Sequence, residues 1–386
     1  MNILFLDREG GHGGSSRSLF YLIRFIKKNN FEYNIKVYNR KRSILDEKFK
    51  KLGVETYFCP KLPVFSPVDK FLNNLILLIK FSIEWIFSYK ERKKLVNEIN
   101  KKFDLVYINH ESFFWLTKWL KKNTKKKIIS HIRTCPPKSY FSSLQLKTIY
   151  KHSNKLVFIT ENEKLHMEKF LNKKIEGDVV FNIFDERNLL VNKNINPNKI
   201  IFLSVSNFSL ERGQDRIIRI AQELKRKNIQ NVKFVLVGDT KIKKIIKKNK
   251  IFDLVQYANE KKVNDLIEFK GHLEQIDHFF KEGTILIKLS RLDLSWGRDV
   301  IEAMSFGCPV ISTGYYDKFV KSDHTGVLLR DFHLNEAVEE ILKLITDQEK
   351  LKKLSKNAQM TVKNICMSEQ NLNKISKILK CGAMKK

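Results

Sequence analysis

Cysteine is sparse and scattered: Cys59, Cys135, Cys308, Cys366 and Cys381 form no Cys-x-x-Cys pair. That excludes a disulfide framework and a cysteine zinc site, and free thiols suit a reducing cytosol, so a cytoplasmic protein is expected. No Asp-x-Asp and no His-Glu-x-x-His occurs, so the usual metal-bridging side chains are missing and no metal or other cofactor is expected. The opening MNILFLDREGG has no basic leader and an apolar run of only four residues. Such a run is too short for a signal peptide or a membrane span, and the mature chain is expected to start there. Acidic residues are also short, 42 against 73 lysines and arginines, for a formal charge of +31. The excess leans toward the first half, where residues 1–182 hold 36 basic side chains against 17 acidic ones. Nucleic acid, an anionic membrane surface or a coding bias toward Lys, Asn and Ile would each account for it. A basic nucleic-acid binder would interleave those charges with exposed aromatics on a known module, and none is present; nucleic acid is not an expected partner.

What is present is apolar. Hydrophobic residues make up 42% of 386 positions and include 28 Phe, enough for two packed cores. Short apolar runs alternate with helical stretches, giving strand candidates at 3–6, 35–38, 105–108, 128–130, 156–159 and 179–181. A second series lies at 200–205, 232–237, 267–269, 285–289, 310–312 and 327–329. This alternation predicts an α/β protein of two Rossmann-like, doubly wound parallel-sheet domains. The polar, Asn-rich segment over 184–199 reads as a linker, so the domains are expected at 1–183 and 200–365, with a terminal helix in 366–386 packing back on the first. The interdomain cleft and the loops beyond the strand ends are the expected site.

The stretch FLNNLILLIKFSIEWIFSY, residues 71–89, is apolar around most of a helix, with Asn73, Lys80, Glu84 and Ser88 on one narrow stripe. Lys80 and Glu84 near its middle argue against insertion across a bilayer. It packs inside the first domain, the slightly favoured reading, or lies in a membrane interface with Lys90, Arg92, Lys93 and Lys94 at its end.

Two segments carry chemistry. In REGGHGGSSRS, Gly10, Gly11, Gly13 and Gly14 precede a helix expected from about Ser16, and their small size lets backbone N–H groups approach an anionic or hydroxylated ligand. The spacing is not Gly-x-Gly-x-x-Gly, and Tyr38, Asn39 and Arg40 close the next strand without an acid, which disfavours a nicotinamide cofactor. In LSRLDLSWGRDVIEAMSFGCPVIST, a strand ends, Ser295, Trp296 and Gly297 turn the chain, and Asp299 is placed to cap a helix that carries Glu302 one turn in. A carboxylate beside free helix-start N–H groups can hold a ribose diol, and a capped structural helix explains the pattern equally well.

The run WGRDVIEAMSFGCPVIST resembles the C-terminal signature of glycosyltransferase family 4. DLVYINH, KKIISHIRT, LVFITENEKLHMEKF, VVFNIFDE, FLSVSNFSLERGQDRIIRIAQEL, FVLVGD, IEFKGHLEQI and HTGVLL resemble further family blocks in the family order, across nearly the whole chain. The resemblance implies a GT-B fold and largely retaining, metal-independent transfer from a nucleotide sugar. It implies that Glu302 contacts the donor ribose, with Leu294 standing where the family has a first Glu. It places Arg212 at a phosphate-clamp position and Asn207 where the family has a second cation, a charge that Arg298 could replace. His131 matches a histidine that reaches the transferred sugar; His110, at another strand end, is the weaker competitor. Gly13, Gly14, Asn207, Gly238, Gly271, Ser295, Trp296, Gly297 and Glu302 are the expected donor-binding set, and His131, Arg212 and Arg298 the expected catalytic set. A glycan or lipid-linked acceptor is expected, in surface polysaccharide or lipopolysaccharide synthesis, with an anionic membrane surface as a further partner. The departures at Leu294 and Asn207 also admit a catalytically inactive partner subunit.

Overall fold

A computed structural model describes residues 1–9, 13–29, 32–190, 193–238, 241–242, 252–273 and 275–383. Gly10 and Gly11 of the glycine turn lie outside the described residues. Met1–Ile183 with Ser368–Lys386 forms one compact unit and Phe184–Met367 the other, so the segment 184–199 belongs to the second unit.

The first unit alternates strand and helix: β1 (Asn2–Asp7), α1 (Gly14–Lys28), β2 (Asn34–Asn39), α2 (Ile44–Lys51), β3 (Glu55–Phe58), α3 (Phe71–Phe87), α4 (Tyr89–Lys102), β4 (Leu105–Ile108), α5 (Phe114–Asn123), β5 (Lys127–Ile132), α6 (Tyr140–His152), β6 (Lys155–Phe158), α7 (Glu161–Leu171) and β7 (Asp178–Val179). Its sheet runs β3-β2-β1-β4-β5-β6-β7 and every pairing is parallel. Helices on both faces explain why Ile3, Leu4, Phe5 and Leu6 form an unbroken apolar run, all fully buried. Burying each such side chain contributes about 1.5–3 kcal/mol. Edge strand β3 was not expected, because its sequence ETYF offers no apolar run.

The second unit holds β8 (Ile200–Val205), α8 (Gln214–Arg226), β9 (Val232–Val237), β10 (Lys241–Ile242), β11 (Phe252–Asp253), α9 (Leu254–Glu260), β12 (Ile267–Gly271), α10 (Asp277–Glu282), β13 (Ile285–Lys288), α11 (Arg298–Ser305), β14 (Val310–Thr313), β15 (Gly326–Leu329), α12 (Leu334–Thr346) and α13 (Gln348–Cys366). Its main sheet runs β12-β9-β8-β13-β14-β15, again parallel throughout. Helix α8 shows how the sequence specifies this layer. Ile217, Ile218, Ile220, Ala221 and Leu224 recur at helical spacing and are buried, in one core with Phe202 and Phe234, while Arg219, Lys225 and Arg226 stay in solvent. The final helix α14 (Glu369–Ala383) is tied to the first unit, where the Asn371 amide exchanges hydrogen bonds with the backbone of Phe181 at 3.0 and 3.1 Å.

The 71–89 segment departs from its favoured reading in two ways. It ends at Phe87 and continues as α4 after a bend of 63°, and it packs on the domain by one face only: Phe81 enters the core with Leu77, Leu78 and Trp85 against it, and only Asn74 and Phe81 of α3 are buried. The polar residues divide: Asn74 bonds the backbone of Val68 and Lys70, Ser88 is buried and Glu84 faces Arg40 at 3.5 Å, whereas Lys80 and Ser82 are exposed. No single helix among the described residues is long and apolar enough to cross a membrane.

Candidate functional site

In each sheet the chain reverses its winding beside the first strand, at β1/β4 and at β8/β13. Crossovers diverge there and leave a crevice beyond the carboxyl ends of the strands, where ligands of open α/β sheets bind. The loops after β8 and β13 carry Asn207, Arg212 and the Ser295–Trp296–Gly297 turn. The loops after β1, β4 and β5 carry Gly13, Gly14, His110 and the residues that follow His131.

The two loops of the second unit are built as one piece. Ser290 Oγ and the Arg291 N–H donate to the Glu211 carbonyl at 3.0 and 2.7 Å, and the Arg291 guanidinium grips Asp215 with bonds of 2.7 and 2.6 Å. Arg216 donates to the carbonyls of Leu289 and Ser290. Gly213 makes the approach possible: its φ of +78° is left-handed, and a Cβ there would run into the Leu289 carbonyl. This fixes Arg212, half-buried at the end of the turn, against the carboxyl edge of β13. Asn207 is exposed.

Lys288, the last residue of β13, was not singled out in the sequence. Its Nζ donates to both carboxylate oxygens of Asp299 at 2.8 Å. Burial lowers its pKa, Asp299 opposes that shift and the nearby positive charge of Arg212 adds to it. Asp299 therefore does not cap α11 as expected. Gly297 is the N-cap residue and no side chain caps the helix, because the carboxylate serves as counter-ion to a buried ammonium. A Cβ on Gly297 would come within 2.7 Å of Lys288 Nζ and 2.5 Å of Asp299 Oδ1, so a side chain there would push the ion pair aside.

The other expected residues of this loop have definite structural partners. Arg298 Nε donates to Glu302 Oε1 at 2.8 Å across one helical turn, both side chains being buried. The Ser295 hydroxyl donates to the Tyr316 carbonyl at 2.5 Å, and Trp296 stacks on Phe319 with ring centroids 5.6 Å apart. Asp293, beside Leu294, accepts from the Tyr315 N–H at 2.6 Å. Gly238 follows β9 and Gly271 ends β12, joined by a Gly238 N–H to Gly271 carbonyl bond of 2.8 Å.

In the first unit a buried polar network occupies the carboxyl edge of the sheet. Asp7 accepts from Ser16 at 2.5 Å and from the Asn109 amide at 2.8 Å; Arg133 donates to Asn109 at 2.5 Å and to Asn182 at 2.7 Å. Glu111 accepts from the Arg133 N–H at 2.9 Å and from the Thr134 hydroxyl. None of these was singled out, although Asn109 ends the quoted block DLVYINH beside His110. Gly13 is the N-cap residue of α1 and Gly14 its first residue. Ring nitrogen Nδ1 of His131 lies 2.7 Å from the Tyr107 hydroxyl, and its Nε2 is buried with no hydrogen-bond partner among the described residues. Burial, reinforced by the Arg133 charge, puts its pKa well below the ordinary imidazole value, so the ring is neutral near pH 7. His110, by contrast, spends Nδ1 as the acceptor for the Ser112 N–H at 3.1 Å.

Glu163, at the start of α7, accepts from the Thr160 hydroxyl, and burial pushes its carboxyl up to about 7. Among the described residues no group of three or more His, Cys, Asp or Glu is placed to hold a metal ion.

Two parallel α/β units, with loops of this kind at their switch points, have the fold of GT-B glycosyltransferases. Residues 185–361 match the family described as Glycosyl transferases group 1, so the second unit carries a glycosyltransferase domain of that group. No curated protein matches by sequence. Among solved structures, Anabaena Alr3699/HepE in complex with UDP and glucose superposes with a TM-score of 0.75 at 17% identity, over 99% of this chain and 100% of that one. A glycosyltransferase from Rickettsia africae gives 0.70 at 17% identity, over 100% and 99%. S. aureus TarM, solved with Fondaparinux, alpha-GlcNAc-glycerol and UDP, gives 0.68 at 13% identity, over 98% and 99%.

Proposed function

We propose that this chain transfers a hexose from a UDP- or GDP-type sugar to a growing glycan or lipid-linked acceptor. In this reading the reaction retains the anomeric configuration, needs no metal, and serves surface polysaccharide or lipopolysaccharide synthesis on the cytoplasmic face of the inner membrane. The observation that carries it is the cationic edge of the second sheet, where Lys288 on Asp299 lies close enough to Arg212 to feel its charge. Phosphoryl leaving groups need fixed positive charge, and a site that supplies it from side chains and the start of α11 replaces a cation. Arg212 is assigned to the departing diphosphate, with Arg298 behind it fixing the Glu302 carboxylate for the ribose. A His131 Nε2–H, available when Tyr107 donates to Nδ1, is assigned to a hydroxyl of the transferred sugar. Retention rests on the family resemblance, and the donor class gains support from the UDP and glucose bound to the Anabaena protein.

A thermal-shift screen against UDP-, GDP-, ADP- and TDP-sugars tests the reading, since a ligand bound to the folded state raises its stability. One UDP- or GDP-sugar is expected to raise Tm, and a flat response to all four sinks the donor assignment. Leu294 and the uncharged, exposed Asn207 favour a second reading, an inactive partner subunit. Slow donor hydrolysis by the purified chain excludes that alternative.

A further inference from the structure

Helix α3 is apolar on two faces, one packed on the core and one in solvent. Leu72, Ile76, Ile79, Ile83 and Ile86 recur at spacings of three and four and are 73, 66, 63, 52 and 69% exposed, and Phe87 beside them is 75% exposed. The opposite side of the same helix packs Leu77, Leu78, Phe81 and Trp85 on the domain core, so the exposed stripe is a second apolar face and not the one that holds the helix to its domain. Soluble surfaces carry single exposed hydrophobes freely, but a continuous stripe of this length marks an interaction surface. Beside the stripe, α3 and α5 form a solvent-open cavity of about 370 Å³ lined by Phe81, Trp85, Ile86, Trp115 and Trp119 together with Lys118 and Lys122. Three of the four tryptophans of the chain meet there. Arg92 braces two of these rings, its guanidinium 3.7 Å from the Trp85 ring centroid and 4.9 Å from that of Trp119.

Charge selects the occupant. Lys90, Lys93 and Lys94 follow the bend after α3, Lys118, Lys121 and Lys122 run along α5, and all six are exposed. An apolar stripe with lysines at its edge and tryptophans beside it matches the layered chemistry of an anionic bilayer, with acyl chains below, an aromatic-rich boundary and phosphates above. We infer that α3 lies flat in the headgroup layer of an anionic membrane. Its Leu72-to-Phe87 stripe faces the acyl chains, and the tryptophan cavity takes one lipid chain whose headgroup phosphate rests on Lys118 and Lys122. The bend at Ser88 then lifts α4 and its basic side chains out of the layer. None of these residues belongs to the transfer site, so the inference stands or falls apart from the donor assignment.

Flotation of the full chain with vesicles tests it. Binding to vesicles of phosphatidylcholine with about one third phosphatidylglycerol is expected, with little binding to phosphatidylcholine alone and a steep loss on raising salt. The double change Ile76→Asp and Ile83→Asp should weaken binding at least tenfold, while Tm and donor hydrolysis stay unchanged because both side chains are exposed. Lys118→Glu with Lys122→Glu should weaken it likewise, and tryptophan emission should shift to the blue only with the anionic vesicles. Absence of binding to anionic vesicles, or binding indifferent to the isoleucine changes, overturns the proposal. So does a dimer in solution that the isoleucine changes dissociate without vesicle binding, which would assign the stripe to a second copy. Loss of donor hydrolysis in unmodified protein, with vesicle binding intact, would count against the transfer reading alone.

Discussion

Lys288 Nζ stands 2.8 Å from both carboxylate oxygens of Asp299, one residue ending a strand and the other opening the helix that follows the turn. Both side chains are largely removed from water, so removing one leaves an uncompensated charge. Asp299→Asn is expected to cost about 3–5 kcal/mol in chemical denaturation. The paired change Lys288→Met with Asp299→Leu should recover most of that loss, because it deletes both charges together. A cost for Asp299→Asn below about 0.5 kcal/mol, the usual range of a surface change, would remove the ion pair from the stability of the turn.

Arg212 is held against β13 by bonds that do not use its own guanidinium, and among the described residues no hydrogen bond or ion pair takes up that charge. Arg212→Ala should therefore lower turnover by at least about tenfold, as loss of one fixed transition-state charge does, with little change in Tm. Arg212→Lys should recover part of the loss. Near-normal turnover in Arg212→Ala ends its assignment to the leaving diphosphate.

Fixed cations in the second unit also bear on metal dependence. With Arg212 and the α11 start supplying the charge, transfer or donor hydrolysis should persist in excess EDTA at more than half its initial rate. Abolition by EDTA with recovery on adding magnesium or manganese would contradict the mechanism proposed.

Glu163 gives a test by pH. Its carboxyl ordinarily titrates near 4.5 and is pushed up to about 7 in the folded chain by burial. The native state therefore binds its proton more tightly than the unfolded chain does. That contribution is complete below pH 4.5, declines as pH rises and is gone above 7, a change on the order of 3 kcal/mol. Glu163→Gln keeps an oxygen acceptor for Thr160 and cannot ionise, so its stability should fall less between pH 5 and 8 than that of the parent. Parallel pH profiles for the two would show that Glu163 titrates normally.

Much of the fold is legible because a strand covered on both faces must be continuously apolar, as ILFL in β1 and FVLV in β9 are. Strand β3 escapes that rule, since an edge position leaves room for the polar ends of ETYF. The orientation of α3 could not be read because periodicity locates a face without saying what covers it. The sites divide in the same way. Arg212, His131 and Glu302 lie in blocks recognisable by order, whereas Asp7, Asn109 and Arg133 meet across 102 and 24 residues of chain, and Lys288 looks like any strand-end lysine until Asp299 is folded onto it. Ser295 and Trp296 show the converse, a recognisable motif whose side chains are absorbed in holding the turn.

His131 carries the last prediction. Its Nδ1 is fixed by Tyr107 at 2.7 Å, and burial keeps the ring neutral through the physiological range. A neutral imidazole donates one hydrogen bond, and the tautomer decides from which nitrogen. With the Tyr107 hydroxyl donating to Nδ1, the proton sits on Nε2. Tyr107→Phe removes that choice and leaves Nδ1 unpaired, so the tautomers redistribute. Turnover should fall about three- to tenfold, as expected when a bound group loses its orientation, with KM for the donor little changed. His131→Ala should cost more than Tyr107→Phe, and the two together should cost no more than His131→Ala alone, because the tyrosine acts only through the ring. Between pH 6 and 8 the rate of the parent enzyme should show no inflection from this histidine. An inflection near 6.5 that vanishes in His131→Ala would mean that the ring titrates in that range, and the neutral-donor role would have to be abandoned.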